Sequence, residues 1–260
     1  MPLGNQTIGN QTLGRGEIHF SLFRTGYTPD GFRYVGNTPE FSYTSNLEKL
    51  DHFSSDHGIR EKDKSVVLQT DFTASLTMDD IQADNLALTM FGSASVLAQS
   101  AASSLTETFT DVTPGLGYQV GLTDSRPAGY HSLASVVVKV GVSTKTITTD
   151  YTVDTELGIV TPVVGGGIVQ DDEMIVEFNV TAKSRIMVVS GAEQVEGALR
   201  FISYNAEGDK FDYYFPYVKL GPNGDIPLKT DEWMQLPFTV EILKRPTQER
   251  IYCNGRPYTP

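Results

Sequence analysis

Val66-Val67-Leu68-Gln69-Thr70-Asp71-Phe72-Thr73-Ala74-Ser75-Leu76 sets the architecture of this chain. Its even positions, Val66, Leu68, Thr70, Phe72, Ala74 and Leu76, lean apolar, and its odd positions, Val67, Gln69, Asp71, Thr73 and Ser75, lean polar. A period of two predicts a strand with one dry face and one wet face. Directly after it, Thr77 stands where an N-cap belongs and Asp79 and Asp80 fall in the first turn. Ala83, Leu86, Ala87 and Met90 then form an apolar stripe that stops at Gly92. This predicts a helix over 78–91, capped by Thr77 and Asp80, flanking the sheet. Before the strand, residues 46–64 read as a long charged loop that also carries Leu47, Leu50, Phe53 and Ile59. A lone subunit has little reason to expose those side chains, so the pattern predicts that something covers them.

At 260 residues the chain is long enough for one large β domain, or for a core with a smaller inserted domain. An apolar fraction of 39% with 13 Phe and 12 Tyr is that of a folded protein. Cys253 is the single cysteine, which rules out an intramolecular disulfide and a cysteine-clustered zinc site and suits synthesis in a reducing cytoplasm. A net charge of -12 disfavours tight nucleic-acid binding, which draws on cations that displace condensed counterions. No apolar stretch approaches the ~20 residues that span a bilayer. The start of the chain lacks a signal peptide's basic and apolar regions, so neither secretion by that route nor a membrane anchor is expected.

Residues 1–16 contain the tandem pentad Gly4-Asn5-Gln6-Thr7-Ile8, Gly9-Asn10-Gln11-Thr12-Leu13, read as a flexible arm that either frays or orders on a neighbouring subunit. Ile18, Phe20 and Leu22 alternate with Glu17, His19 and Ser21 to open the sheet, and Phe41 and Tyr43 continue it. Residues 93–104, rich in Ala and Ser, read as a linker or frayed helix. Residues 109–178 have their own turns, at Pro114-Gly115 and Gly165-Gly166-Gly167 among others, and read as an inserted β subdomain. The core then spans 17–108 and 179–244, with later strands at 185–190, 198–204, 211–218 and 238–243. Residues 245–260, with three prolines and no periodicity, read as an extension leaving the core.

Catalytic and metal signatures are absent from the sequence. His19, His52, His57 and His131 do not show the i, i+4 spacing that sets two ligands on one helical face. Asp51 and Asp56 beside His52 and His57 make an acidic loop rather than a ligand set. The carboxylates of Asp171-Asp172-Glu173 sit where a solvated turn needs polar groups anyway. Gly165-Gly166-Gly167 lacks the Gly-Lys-Ser/Thr end that cradles phosphates, and no Gly-x-Ser-x-Gly elbow occurs. Cys253 has no histidine near it in sequence. Phe211, Tyr213, Tyr214, Phe215 and Tyr217 read as core and subunit interface ahead of a stacking platform. No cofactor, metal or catalytic residue is expected.

Several segments resemble the major tail tube protein of long-tailed, siphovirus-like bacteriophages. They are Gly36-Asn37-Thr38-Pro39-Glu40-Phe41, the loop from Leu47 to Ser55, and Leu76-Thr77-Met78-Asp79-Asp80-Ile81 with Asp84-Asn85-Leu86-Ala87. Gly197-Ala198-Leu199-Arg200-Phe201, the run from Phe215 to Gly224, and Glu232-Trp233-Met234-Gln235-Leu236-Pro237-Phe238 resemble the closing strands of that family. Asp150-Tyr151-Thr152-Val153-Asp154 with Leu157-Gly158-Ile159 is similar to a motif of its longer members.

The resemblance implies a mainly β fold, a sandwich or barrel core with one flanking helix, whose copies form hexameric rings stacked into a hollow tube. On it, Leu47, Leu50, His52, Phe53, Ile59 and Arg60 form an inter-ring contact loop, and Gln69, Asp71 and Thr73 are candidates for the lumen. It implies a virion tail location after assembly in the host cytoplasm. It also implies other tail proteins as partners, such as the tape measure, tail terminator and distal tail proteins, with DNA passing through unbound. Two rival readings share the strands: a receptor- or glycan-binding β-sandwich, and a carbohydrate-active enzyme using Asp171 or Glu173.

Overall fold

The computed structural model describes residues 12–23, 26–56 and 58–256. The expectations placed on 1–11, on His57 and on 257–260 lie outside the described residues. In chain order the strands begin β1 (Gly16–Leu22), β2 (Arg33–Tyr34), β3 (Glu40–Ser54) and β4 (Glu61–Met78), followed by helix α1 (Ala83–Thr89). Next come β5 (Ser93–Gln99), β6 (Ala102–Val112), β7 (Tyr118–Gln119), β8 (Leu133–Val140), β9 (Ser143–Thr144), β10 (Tyr151–Asp154), β11 (Ile159–Pro162) and β12 (Asp172–Val180). The chain closes with β13 (Lys183–Val189), β14 (Val195–Ser203), β15 (Lys210–Pro222), β16 (Leu236–Ile242) and β17 (Tyr252–Arg256). The protein is mainly β, with one helix and several antiparallel sheets among the described residues.

Two compact units divide the chain. The first comprises residues 1–94 and 188–260, the second Ser95–Met187. In the first, the strands run β2-β1-β14-β15-β16-β4-β3, with β17 also on β15. The sheet curls so that β3, at one end, packs over the middle strands: Phe41 of β3 stacks on Phe201 of β14 at 6.0 Å, and Tyr43 lies 6.0 Å from Tyr213 of β15. Ile18, Leu76, Met78, Leu199, Phe215 and Phe238 fill the space between, all but sealed from solvent. The period-two pattern holds from Phe72 to Met78, where Ala74, Leu76 and Met78 are buried and Thr73, Ser75 and Thr77 are not.

The helix differs from the expectation of 78–91. It is seven residues long, its N-cap is Gln82 in an extended conformation, and no side chain caps it. Thr77 is still in β4, paired with Glu40 and Pro237, because the sheet's hydrogen bonds claim that backbone before a helix can start. Asp80 accepts from Gln82 Nε2 at 2.7 Å and ends the turn rather than capping the helix. What fixes the helix is Asn85, fully buried, whose Nδ2 donates to the carbonyls of Val35 at 2.6 Å and Asp80 at 2.9 Å. Its Oδ1 accepts from Arg33 Nη2 at 2.8 Å. Burial lowers the Arg33 pKa against the opposing pull of Asp84 and Asp80.

The second unit is broader than the expected 109–178. Residues 93–104 are neither linker nor helix: β5 pairs with β13, and β6 pairs with β12 in the sheet β6-β12-β8-β9. Alternating small and polar residues form strands here because each finds a partner edge that a local reading of Ala and Ser composition cannot foresee. A second sheet, β10-β11-β7, completes the unit. Met174, Val176, Phe178 and Val180 of β12 point into its core, with Val112, Val120 and Val160. Gly158, at φ +81°, lies where a Cβ would overlap the Tyr130 carbonyl. The chain leaves the first unit after Gly92 and returns before Gly191. The two backbones cross so closely there that a Cβ on Gly92 would overlap the carbonyl of Val189, and one on Gly191 that of Phe91.

The segment after Lys244 does not simply leave the core, since its described part returns to the sheet. β17 pairs along β15, with Tyr213 opposite Cys253. Arg256 clamps it: Nη2 donates to Asp212 Oδ1 at 2.7 Å and to the Ser203 carbonyl at 2.8 Å. Arg256 Nε approaches Asp212 Oδ2 at 2.6 Å off the line of its N–H, so charge rather than an aligned hydrogen bond holds that side.

Candidate functional site

The expected loop over 46–64 is a hairpin. β3 and β4 pair from Glu40↔Thr77 out to Ser54↔Glu61, where the hairpin has its tip. The two strands are of matching length and pair nearly without interruption, so backbone hydrogen bonding rather than a polar and apolar alternation carries the hairpin. β16 pairs with β4 only from Phe72 to Met78, so Glu61–Asp71 has β3 alone for a neighbour. At ~3.3 Å per residue the hairpin overhangs the sheet by roughly 35 Å. A two-stranded ribbon is marginal in water by itself, and both of its edges carry unpaired backbone groups.

Apolar side chains are exposed along the whole overhang: Leu47, Leu50 (61%), Phe53 (41%), Ile59 (80%), Val66, Val67 and Leu68. Val66 and Leu68 therefore do not join the dry face. The pairing steps from Glu48↔Gln69 to Lys49↔Val67, leaving Leu68 in a bulge that shifts the alternation by one residue. Beyond it, Leu50 and Val66 share the face of Glu48 and Gln69. A second irregularity lies between His52 and Phe53. Polar groups near the tip hold the two strands together. Asp51 accepts from Lys62 Nζ at 2.7 Å and Ser65 Oγ at 2.7 Å, which hold its carboxyl below the usual range. His52 Nδ1 lies 2.5 Å from Asp63 Oδ1, and the Arg60 guanidinium sits 5.6 Å from the Phe53 ring centre. Of the six residues expected at an inter-ring contact, all lie on this overhang or its turn.

Gln69, Asp71 and Thr73 share the face of the sheet opposite the core. Register aligns Thr44, Thr73, Glu241, Lys219 and Glu196 in one row across five strands. Asn46 pairs with Asp71, and Glu48 with Gln69. Gln69 Nε2 donates to Asp71 Oδ2 at 2.5 Å, and Lys219 Nζ lies 2.9 Å from Glu196 Oε1. In the row and its neighbours, four carboxylates, on Glu48, Asp71, Glu196 and Glu241, surround Lys219, so this stretch of the face is net negative, while Lys64 and Arg200 lie further out on it.

The residues weighed for chemistry do not converge. Asp171 occupies a positive-φ turn and accepts from Gln170 Nε2 at 2.8 Å, while Glu173 points away from the core in β12. His19 lies by Glu17 and His131 by the Ala128 carbonyl, in different units. Among the described residues no three His, Cys, Asp or Glu side chains gather as a metal site. The aromatic run divides between faces: Tyr213 and Phe215 stack inward at 6.4 Å, while Tyr214 stacks on Tyr252 at 6.4 Å. No helix among the described residues is long and apolar enough to cross a membrane.

One feature escaped the sequence reading. Trp233, the only tryptophan, stands 93% exposed on the loop between β15 and β16, with Leu228 at 86%. Its neighbours Met234 and Leu236 are turned inward, so an apolar run conceals the one member that faces out.

Residues 11–251 match the family described as "Protein of unknown function UCP028589", and the chain belongs to that family. No curated protein matches it.

Proposed function

We propose that this chain is a structural subunit of a long-tailed phage virion, closing into hexameric rings that stack as the tail tube. The observation that carries the reading is the β3–β4 overhang. A ribbon of roughly 35 Å with two open edges and seven exposed apolar side chains suits a subunit that is completed by copies of itself. Edge pairing between neighbours would close the curled sheet into a continuous barrel, and the hairpin tip would lie on the next ring. The face bearing Glu48, Asp71, Glu196 and Glu241 would line the bore, where carboxylates repel phosphate and let DNA slide without binding. The role is structural rather than enzymatic, with no cofactor. Its partners are the chain itself and the tape measure, terminator and distal tail proteins, and its place is the virion tail after assembly in the host cytoplasm.

Negative-stain microscopy of the concentrated protein tests this. Rings or tubes with sixfold symmetry and an open bore are expected. A protein that stays monomeric and binds glycans would overturn the reading in favour of a receptor-binding β-sandwich.

A further inference from the structure

Trp233 is not a stray surface residue, because the loop that carries it is anchored. Residues 223–235 connect β15 to β16. The neck is tied by Asn223 N to the Pro237 carbonyl at 2.9 Å, and Ile226 and Met234 pack against the core. Trp233 and Leu228 are therefore held outward on a fixed support, which lowers the entropy lost when they are covered. Beside them Asp231 and Glu232 make no ion pair among the described residues.

The same unit contains a matching recess. Where the curled sheet fails to close, between the start of β1 and β3, a cavity of about 650 Å³ is lined by Pro39, Phe41, Tyr43, Phe201 and Tyr213. Its rim bears Arg15, whose Nη1 donates only to the Gly14 carbonyl at 3.1 Å and which has no carboxylate partner among the described residues. Asn37, Thr38 and Ser42 make the rest of the lining polar, so the recess has an aromatic wall for the indole ring, hydrogen-bonding groups for its N–H and an unpaired cation at its mouth for the carboxylates that flank it.

We infer that Trp233 of one copy inserts into this recess of a second copy, with Asp231 and Glu232 meeting Arg15. Knob and recess are different patches of one chain, so the contact is heterologous, and it repeats around a ring or along a stack instead of ending at a dimer. Tryptophan flanked by charges and seated in a desolvated pocket has the composition of an interface hot spot. The inference rests on the proposed self-assembly but assigns a contact distinct from the hairpin.

Because Trp233 is the sole tryptophan, its emission reports on this contact alone. In a dilution series of the full chain, its spectrum should shift to the blue and its quenching by iodide should fall as assemblies form. Trp233→Ala should weaken assembly by at least ~30-fold while leaving the folded monomer's circular dichroism unchanged. Arg15→Glu should weaken it too, and Arg15→Glu with Glu232→Arg should restore it. Cys253 is exposed and is the register partner of Tyr213, a residue of the recess lining, so Glu232→Cys under mild oxidation should link copies into ladders that vanish with Cys253→Ser. Assemblies in which Trp233 stays fully quenchable would overturn this contact and leave the hairpin reading standing. Absence of any assembly would overturn both.

Discussion

Replacing Leu50, Phe53 and Ile59 together with serine separates assembly from folding. Their exposures of 61, 41 and 80% amount to about two whole apolar side chains left in water. Burying each whole side chain is worth about 1.5–3 kcal/mol, so covering all three on a neighbour contributes about 3–5 kcal/mol per copy. That is roughly two to three and a half powers of ten in the association constant. Within the monomer Leu50 and Ile59 are mostly exposed and Phe53 is covered in part beneath Arg60, so its stability should fall by only about 1–2 kcal/mol. Sedimentation over a concentration series would give the assembly threshold, and urea unfolding of the dilute protein the monomer's stability. A threshold moved by less than tenfold, or a urea midpoint that falls in step with it, would refute the idea that the overhang waits for a partner.

Asn85→Ala should cost about 2–4 kcal/mol in urea unfolding, since it strands the Val35 carbonyl, takes one of two donors from the Asp80 carbonyl and removes an acceptor from the half-buried Arg33 guanidinium. An effect below 1 kcal/mol would mean that α1 is held by packing alone. Gly158→Ala combines a positive φ with a blocked Cβ and should destabilise the second unit by about 2–4 kcal/mol, seen in calorimetry as a lowered transition for that unit only. Asp212 gives a pH dependence: burial alone would raise its pKa, but the bonds from Arg256 and from the Ser203 amide outweigh burial and lower it. Its stabilising contribution is therefore present above the ordinary carboxylate range and is lost as pH falls through the depressed value. The protection factors of the Tyr252–Arg256 amides, taken against the intrinsic exchange rate at each pH, should fall in acid, and Arg256→Gln should lower them likewise at neutral pH. Exchange that ignores both would remove the clamp as the cause of β17 pairing.

Where period and partner agree, the sequence was readable: Phe72–Met78 and Asp172–Val180 alternate, and both lie between two paired neighbours. The reading of Val66 and Leu68 failed because a bulge one residue long inverts the faces, and nothing in Val-Val-Leu-Gln marks it. Thr77 failed as a cap because a nonlocal pairing with Pro237 held it in the strand. Residues 46–64 looked like a loop because their charges hid a register that only the facing strand reveals. At the candidate site, the exposed apolar residues of the hairpin were legible as an anomaly, whereas Trp233 was hidden among residues that do face inward. Asn85 lies off the apolar stripe of Ala83, Leu86, Ala87 and Met90, so nothing local marked it as the buried tie between α1 and the strand edge.

Gly92 and Gly191, close together within the first unit, mark where the chain departs for the second unit and where it comes back. Every strand of the curled sheet lies outside Ser95–Met187, so its hydrogen bonding is complete without any residue of that segment. A lineage could exchange, shorten or discard that cargo while keeping the scaffold, and a laboratory could fuse a foreign module at the same junction for display.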